Sequence, residues 1–125
     1  MTVNEFLEYI DYFTSQQYDQ YYTDDVVFHL PANKLVGKQA VKEWYTNLNR
    51  YIQEIIYVKK VLSEGDAVIA HLVTDFRCIQ DWPEFHIRPM KKGEVYRGEY
   101  LVLYKLRGGR FCRIRAARLD SAEVS

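Results

Sequence analysis

The sequence lacks the residues and patterns that mark several large classes of protein. Its two cysteines, Cys78 and Cys112, are too few for a disulfide framework or a zinc cluster. Lysine plus arginine number 17, as do aspartate plus glutamate, so no net charge attracts nucleic acid or an anionic membrane. Apolar runs last only a few residues, whereas a membrane-spanning helix needs roughly 20. We therefore expect no nucleic acid partner and no membrane partner.

Signals for targeting, metals and common cofactors are also missing. The N-terminus enters an amphipathic pattern directly, without the basic and apolar blocks of a signal peptide. The three histidines lie on separate predicted elements, and no H-x-x-x-H or C-x-x-C spacing occurs. Glycine motifs for phosphate or dinucleotide binding are absent as well. We expect a cytoplasmic protein that uses neither a metal nor an organic cofactor.

Tyrosine, in contrast, is abundant, with 11 copies in 125 residues. Its side chain combines an apolar ring with a hydroxyl group, so it suits a largely apolar wall that must also donate hydrogen bonds. The alternative is that these tyrosines only fill the core and interfaces. With 48% hydrophobic and 27% charged residues, the chain is expected to form one globular domain over residues 1–125 with a single small-molecule pocket.

The hydrophobic pattern predicts an α+β fold in which helices precede a run of strands. Residues 2–5 form a capping box, and the apolar residues from 3 to 13 recur at helical spacing. A short helix is predicted at 18–22, and another from 40 to 52. Residues 31–36 are predicted to be a loop and 80–93 a long connection. The strands are predicted at 26–30, 55–62, 67–79, 96–107 and 110–119.

Alternation along the strands separates an apolar face from a mixed face. We expect the apolar face to line the pocket, with Thr74, Tyr100 and Tyr104 as its polar tips and with Cys112, Ile114 and Ala116 on the last strand. Arg118 lies on the same face, either at the rim in solvent or against an anionic or carbonyl group. The other face mixes charge with apolar side chains, which favours a homodimer through the sheet (Ile69, Val73, Leu101 and Leu103).

The order of these segments resembles that of SnoaL-like domains, which belong to the nuclear transport factor 2-like superfamily. The resemblance rests on YTDDVVFHLP at 22–31, VGKQAVKEWY at 36–45, EGDAV at 64–68 and the segment 109–115. It implies a cone-shaped fold of N-terminal helices packed on a curved, mostly antiparallel sheet that encloses a pocket and often dimerises. Members include isomerases, cyclases, dehydratases, epoxide hydrolases and non-catalytic binders, so the fold alone does not select a chemistry.

The same resemblance implies that the usual catalytic carboxylates are missing. The general-base aspartate of ketosteroid isomerase falls at Leu30 and its oxyanion-stabilising aspartate at Val102, while the base of the SnoaL cyclase falls at Ala116. Tyr45 matches a tyrosine of the ketosteroid isomerase hydrogen-bond network, with Tyr9 opposite it. Donors to a carbonyl group therefore remain, although the familiar bases do not.

Two other residues are candidates for proton transfer. His29 has the side chain whose pKa lies nearest neutrality, but alternation points it away from the pocket unless the turn at Pro31 rotates it. Asp75 also points outward, and a β-bulge would be needed to turn it into the cavity, where burial would raise its pKa. His86 lies in the long connection and could belong to a lid over the pocket.

These observations predict a cofactor-independent isomerase, cyclase or dehydratase acting on a small apolar carbonyl compound, such as a polyketide or terpenoid-like intermediate. His29 or Asp75 would move the proton, and Tyr9 and Tyr45 would donate hydrogen bonds to a developing enolate. The residues expected to contact the substrate are Arg118, Tyr100, Tyr104, Thr74, Phe28 and Trp44. The alternative is a non-catalytic small-molecule-binding or dimerisation module of the same fold.

Overall fold

The first helix begins at the cap that the sequence predicts. Helix α1 (Val3–Thr14) follows Thr2, whose Oγ1 accepts a hydrogen bond from the backbone N–H of Glu5 at 3.1 Å. The Glu5 carboxylate accepts a hydrogen bond from the backbone N–H of Thr2 at 2.9 Å. Two donors that the helix cannot satisfy internally are thus paired, and the predicted capping box is confirmed.

The computed structural model describes residues 1–119, in which two helices pack on a curved, open sheet of six strands. Helix α2 spans Lys38–Tyr51. The strands are β1 (Tyr22–Leu30), β2 (Asn33–Val36), β3 (Ile52–Glu64), β4 (Ala67–Cys78), β5 (Val95–Arg107) and β6 (Arg110–Leu119). Their order is β2-β1-β6-β5-β4-β3, and every pair is antiparallel except β1 with β6. The predicted α+β class with a mostly antiparallel sheet is confirmed.

The N-terminal half differs from the sequence prediction in two places. The helix expected at 18–22 is only a 3-10 turn at Asp19–Tyr21, and Tyr22 already belongs to β1. The loop expected at 31–36 contains β2, which forms a hairpin with β1 and pairs Phe28 with Leu35. Both errors have one physical cause, because short segments take their structure from the strand they pair with more than from their own periodicity.

Two strands also differ from prediction in their starting point or register. Strand β3 begins at Ile52, three residues before the predicted start at Ile55. On β6, the register shifts between Lys105 and Leu106 of the facing strand, so Leu106 pairs with Phe111. Phe111 is completely buried at this bulge, whereas Cys112 is only half-buried and is absent from the wall of the pocket, so the expected place of Cys112 on the pocket face is wrong.

The core lies between the helices and the concave face of the sheet. Helix α1 contributes Phe6 and Ile10 to it, and helix α2 contributes Val41 and Leu48. Neither helix is long and apolar enough to cross a membrane, and no other helix of residues 1–119 is.

The face of the sheet opposite the concave one leaves several large apolar side chains 40–46% exposed (Ile69, Leu101 and Leu103). The homodimer through this face stays a prediction.

Candidate functional site

A cavity of about 270 Å³ lies between the helices and the concave face. Its walls come from α1, α2, β1, β3 to β6 and the connection at 80–93. Its size is near the lower end of the range for small-molecule sites, and its lining is mainly aromatic and aliphatic. Most of the side chains that the sequence assigns to the site lie in this wall: Tyr9, Phe28, Trp44, Tyr45, Thr74, Tyr100, Tyr104 and Arg118.

Asp75 does not reach the cavity. Strand β4 pairs with β5 in unbroken register through Thr74, Asp75 and Phe76, so the bulge that would turn Asp75 inward is absent there. On the outer face, the Asp75 carboxylate accepts two hydrogen bonds from Arg97, at 2.6 Å from Nε and 2.8 Å from Nη2. These bonds lower the pKa of Asp75, which keeps it ionised and engaged. The expectation that Asp75 acts as the base in the cavity is therefore wrong, because its carboxylate lies on the outer face and is bound to Arg97.

His29 also lies outside the cavity. It faces away from the concave side of β1, where Lys34 of β2 and Arg115 of β6 pair with it. Lost hydration and then these cations lower the pKa of His29. The turn at Pro31 does not rotate the imidazole inward, because Leu30 and Pro31 themselves line the wall. The expectation that His29 moves the proton is therefore corrected as well.

The acid that does line the cavity is Glu54, which the sequence analysis missed. It lies near the start of β3, where it pairs with Phe76 of β4 and shares the concave face with Ile52 and Ile56. Burial raises the pKa of Glu54 to about 7, and no cation or hydrogen bond from the described residues offsets that shift. A carboxyl group with this pKa can both accept and donate a proton near neutrality.

Glu54 has a sequence signal, although a weak one. Ile52, Glu54, Ile56 and Val58 occupy every second position, which is the period of a strand face. The helical pattern that ends at Ile52 overlaps this run and obscures it. A strand start at Ile52 would have predicted Glu54 as the acid among the inward-facing residues.

Two tyrosine hydroxyl groups of the cavity wall lie within electrostatic reach of Glu54. Burial, and then the charge of Glu54, raise the pKa of Tyr45 well above its usual value. The same two causes, in the same order, raise the pKa of Tyr100 to about 12. Both phenols therefore stay protonated at neutral pH and can donate a hydrogen bond into the cavity.

Tyr9 forms a buried pair with a tyrosine that the sequence analysis did not select. The hydroxyl oxygens of Tyr9 and Tyr22 lie 2.6 Å apart, and the two side chains are 2% and 0% exposed. Each phenol has one proton, so if Tyr22 donates to Tyr9, the proton of Tyr9 is free for a group in the cavity. Tyr22 is thus in a position to orient the hydroxyl group of Tyr9.

Tyr100 owes its position to a glycine two residues before it. A Cβ atom on Gly98 would lie 2.5 Å from the Tyr100 hydroxyl and 2.7 Å from its Cε2. The ring of Tyr100 therefore lies back along β5 over Gly98, in space that any other residue would occupy. Gly98 pairs with Thr74 of β4, which is the buried polar residue of this wall.

The connection at 80–93 covers one side of the cavity through His86 and Ile87. The His86 ring lies 5.3 Å from the Trp44 ring and 4.9 Å from that of Phe85, measured between centroids. Burial lowers the pKa of His86, which favours the neutral imidazole. A bridge between Trp82 and Met90 holds the two arms of the connection together.

A second depression meets the cavity at Glu54. It shares five lining residues with the cavity, Glu54 and Tyr45 among them, while the rest of its lining includes polar side chains such as Asp11, Asn49 and Gln53. Glu54 thus borders both the apolar cavity and a polar depression.

Within residues 1–119, no three histidine, cysteine, aspartate or glutamate side chains form a group that could hold a metal ion.

Comparisons with known proteins agree with this architecture. The family described as the SnoaL-like domain matches residues 3–114. A candidate polyketide cyclase from Pseudomonas putida has a similar structure, with a TM-score of 0.76, 16% identity and coverage of 99% of this chain and 96% of its own. A protein from Anabaena variabilis described as NTF2-like has a TM-score of 0.73, 19% identity and coverage of 95% and 90%.

A candidate hydroxylase from Streptomyces galilaeus is also similar, with a TM-score of 0.68, 14% identity and coverage of 90% of this chain and 84% of its own. At these identities, the structural likenesses show the fold alone. No curated protein matches the sequence closely enough to count as a relative.

Proposed function

The chain belongs to the SnoaL-like domain family, within the nuclear transport factor 2-like superfamily, and we propose that it is an acid–base enzyme acting on a small apolar carbonyl compound. The observation that carries this proposal is Glu54, a carboxyl group with a pKa of about 7 in the wall of an apolar cavity. Proton transfer is most efficient when the pKa of the catalytic group lies near the working pH. Glu54 replaces His29 and Asp75 as the candidate for proton transfer, because neither of those side chains lines the cavity.

The proposed reaction begins with ionised Glu54. Its carboxylate removes a proton from a carbon next to the substrate carbonyl, and the C–H electron pair forms the C–C double bond of an enolate. Tyr45, Tyr9 and Tyr100 supply hydroxyl donors for the enolate oxygen. Donors of this kind lower the barrier by about 2.7–4 kcal/mol each when water is excluded.

The fate of the proton on Glu54 decides the product. Returned to a different carbon of the conjugated system, it completes an isomerisation, with no net change in composition. Delivered instead to a hydroxyl group leaving from the β carbon, it completes a dehydration that releases one water. Both outcomes leave Glu54 as it started and need no cofactor.

A model substrate tests the chemistry directly. The ketone 3-cyclohexen-1-one isomerises to its conjugated form, 2-cyclohexen-1-one, which is followed by ultraviolet absorbance. We expect the protein to accelerate this conversion and Glu54→Gln to lower the acceleration at least about 100-fold, as for loss of a general base. Glu64→Gln is the matched control, since Glu64 ends the same strand and is exposed.

An acceleration that is equal in Glu54→Gln and the unaltered protein would overturn the assignment of Glu54. Binding of the ketone without any acceleration would favour the second candidate, a non-catalytic ligand-binding module. That alternative is favoured by one observation. The positions that hold carboxylates in catalytic members carry Leu30, Val102 and Ala116, and all three line the cavity as apolar side chains.

A further inference from the structure

Two arginine side chains converge on one tyrosine ring. The Cζ atom of Arg118 lies over the Tyr96 ring at 5.2 Å from its centroid, and that of Arg88 lies over the same ring at 5.7 Å. Both distances are within the range of a cation–π contact. Tyr96 thus contacts guanidinium groups from two distant parts of the chain, strand β6 and the connection at 80–93.

Neither guanidinium group is neutralised within residues 1–119. Two arginines of β5 provide the contrast, because Arg97 pairs with Asp75 and Arg107 pairs with Asp25. No described carboxylate lies within ion-pair distance of Arg88 or Arg118. Both charges are therefore left uncompensated by the described residues, in a chain whose net charge is zero.

This pair lies beside the cavity. Arg118 lines the cavity and pairs across the sheet with Tyr100, another lining residue. Arg88 directly follows Ile87, which also lines it. Both arginines are exposed, so they stand where the cavity meets solvent, whereas Glu54 lies on the wall formed by β3.

The Tyr96 side chain itself has a polar group without a partner among residues 1–119. The hydroxyl oxygen of Tyr96 is buried, and no residue of 1–119 forms a hydrogen bond with it. Burying an unpaired hydroxyl group carries a free-energy cost, so such groups are uncommon in folded proteins. Because this hydroxyl group is closed to solvent, a ligand at the cavity mouth would meet the two guanidinium groups and not the hydroxyl group.

We propose that Arg88 and Arg118, each packed against the Tyr96 ring, form an anion-binding subsite at the cavity mouth, and that the ligand is a small apolar molecule with a terminal carboxylate. This proposal names the substrate class for the proposed function. Only the statement that the ligand is converted rests on that function, while binding of the carboxylate does not. Guanidinium groups match a carboxylate with paired, charge-assisted hydrogen bonds. Repulsion by ionised Glu54 favours the orientation in which the carboxylate stays at the mouth and the apolar part enters the cavity.

Two probes of nearly equal shape test the subsite. Binding of 1-naphthaleneacetate and of its neutral analogue 1-naphthaleneacetamide is measured by calorimetry at about pH 6, where Glu54 is mostly protonated. We expect the carboxylate to bind about tenfold more tightly than the amide, which is a modest advantage for exposed charged groups. Added salt should weaken binding of the carboxylate and leave the amide nearly unchanged.

Matched arginine variants locate the effect. Arg118→Gln and Arg88→Gln should each remove most of the preference for the carboxylate and leave amide binding unchanged. Arg110→Gln is the control, because Arg110 is exposed and begins β6, at the opposite end of the strand from Arg118. Equal binding of the two probes, no binding of the carboxylate at millimolar concentration, or equal loss in all three variants would overturn the subsite.

The binding test of the subsite and the isomerisation test of Glu54 are independent. A preference for the carboxylate that survives Glu54→Gln supports the subsite even if the model ketone is not isomerised. Loss of isomerisation in Glu54→Gln, together with equal binding of the two probes, leaves the proposed function standing and removes the subsite. Calorimetry reports binding at equilibrium, so it does not depend on turnover.

Discussion

The hydroxyl oxygens of Tyr9 and Tyr22 lie 2.6 Å apart in the centre of the core, and both side chains are almost completely buried. Tyr9 belongs to α1 and Tyr22 begins β1, so this bond joins the first helix to the sheet. Removing one hydroxyl leaves the other buried without its partner. Removing both leaves only apolar rings of nearly the same shape.

We therefore expect Tyr22→Phe and Tyr9→Phe each to lower the free energy of unfolding by about 1–3 kcal/mol. The double variant should lose clearly less than the sum of the two, because no unpaired hydroxyl remains. Urea denaturation measures all three, with Tyr57→Phe as the control, since Tyr57 is 43% exposed. Additive losses would contradict the bond between the two hydroxyl groups.

The raised pKa of Glu54 predicts a pH-dependent stability of defined sign. Burial raises this pKa from 4.5 to about 7, so the unfolded chain ionises at lower pH than the folded one. The free energy of unfolding should consequently fall as pH rises from about 4.5 to 7 and then level off. Glu54→Gln should be more stable than the unaltered protein at pH 8, and this advantage should be smallest near pH 4.5.

Urea denaturation of both proteins at several pH values measures this difference, and Glu64→Gln serves as the exposed control. A difference between Glu54→Gln and the unaltered protein that does not vary with pH would contradict the raised pKa. Proton abstraction needs the ionised form of Glu54, so activity should rise through the same pH range in which stability falls.

Gly98 predicts a steric coupling along β5. In Gly98→Ala, the new Cβ would meet the Tyr100 side chain at 2.5–2.8 Å, so Tyr100 must leave its place over the strand. We expect a loss of about 1–3 kcal/mol in the free energy of unfolding, as for overpacking of a core. Combined with Tyr100→Ala, the same substitution should cost little, because the space over residue 98 is then empty.

A double-mutant cycle by urea denaturation measures this coupling. Equal costs of Gly98→Ala in the presence and absence of the Tyr100 ring would show that the ring does not occupy that space. Ligand binding gives a second measurement, since Tyr100 lines the cavity and Gly98→Ala displaces it.

Asp75 predicts a structural effect without a catalytic one. Asp75→Asn removes the charge that holds Arg97, and we expect a loss of about 1–2 kcal/mol in stability. Isomerisation of 3-cyclohexen-1-one should not change, because Asp75 lies on the face opposite the cavity. A large loss of turnover with unchanged stability would restore Asp75 as a candidate base.

The Asp75 pair also has a pH signature of opposite sign to that of Glu54. Its pKa is lowered from 3.8 in the folded state, so its contribution is present above that value and is lost as pH falls through the folded pKa. Acid unfolding should therefore begin at higher pH in Asp75→Asn than in the unaltered protein.

Local sequence determined much of the fold. The capping box at Thr2 and Glu5 and the helical spacing after it define α1 without help from distant residues. Strict alternation in β4 and β5 was enough to place Thr74, Tyr100 and Tyr104 on the cavity side, since a strand sends every second side chain to the same face. The same rule correctly pointed His29 and Asp75 outward.

Tertiary structure decided what local patterns leave ambiguous. Glu54 lies three residues past the end of α2, and only its pairing with Phe76 assigns it to β3 and to the cavity. Pairing likewise brought Tyr22 into β1, and at the bulge on β6 the completely buried side chain is that of Phe111 and not that of Cys112. Strand ends and register depend on partners distant in sequence. The sequence by itself therefore determined α1 and the two faces of β4 and β5, while the packed sheet decided which acid lines the cavity.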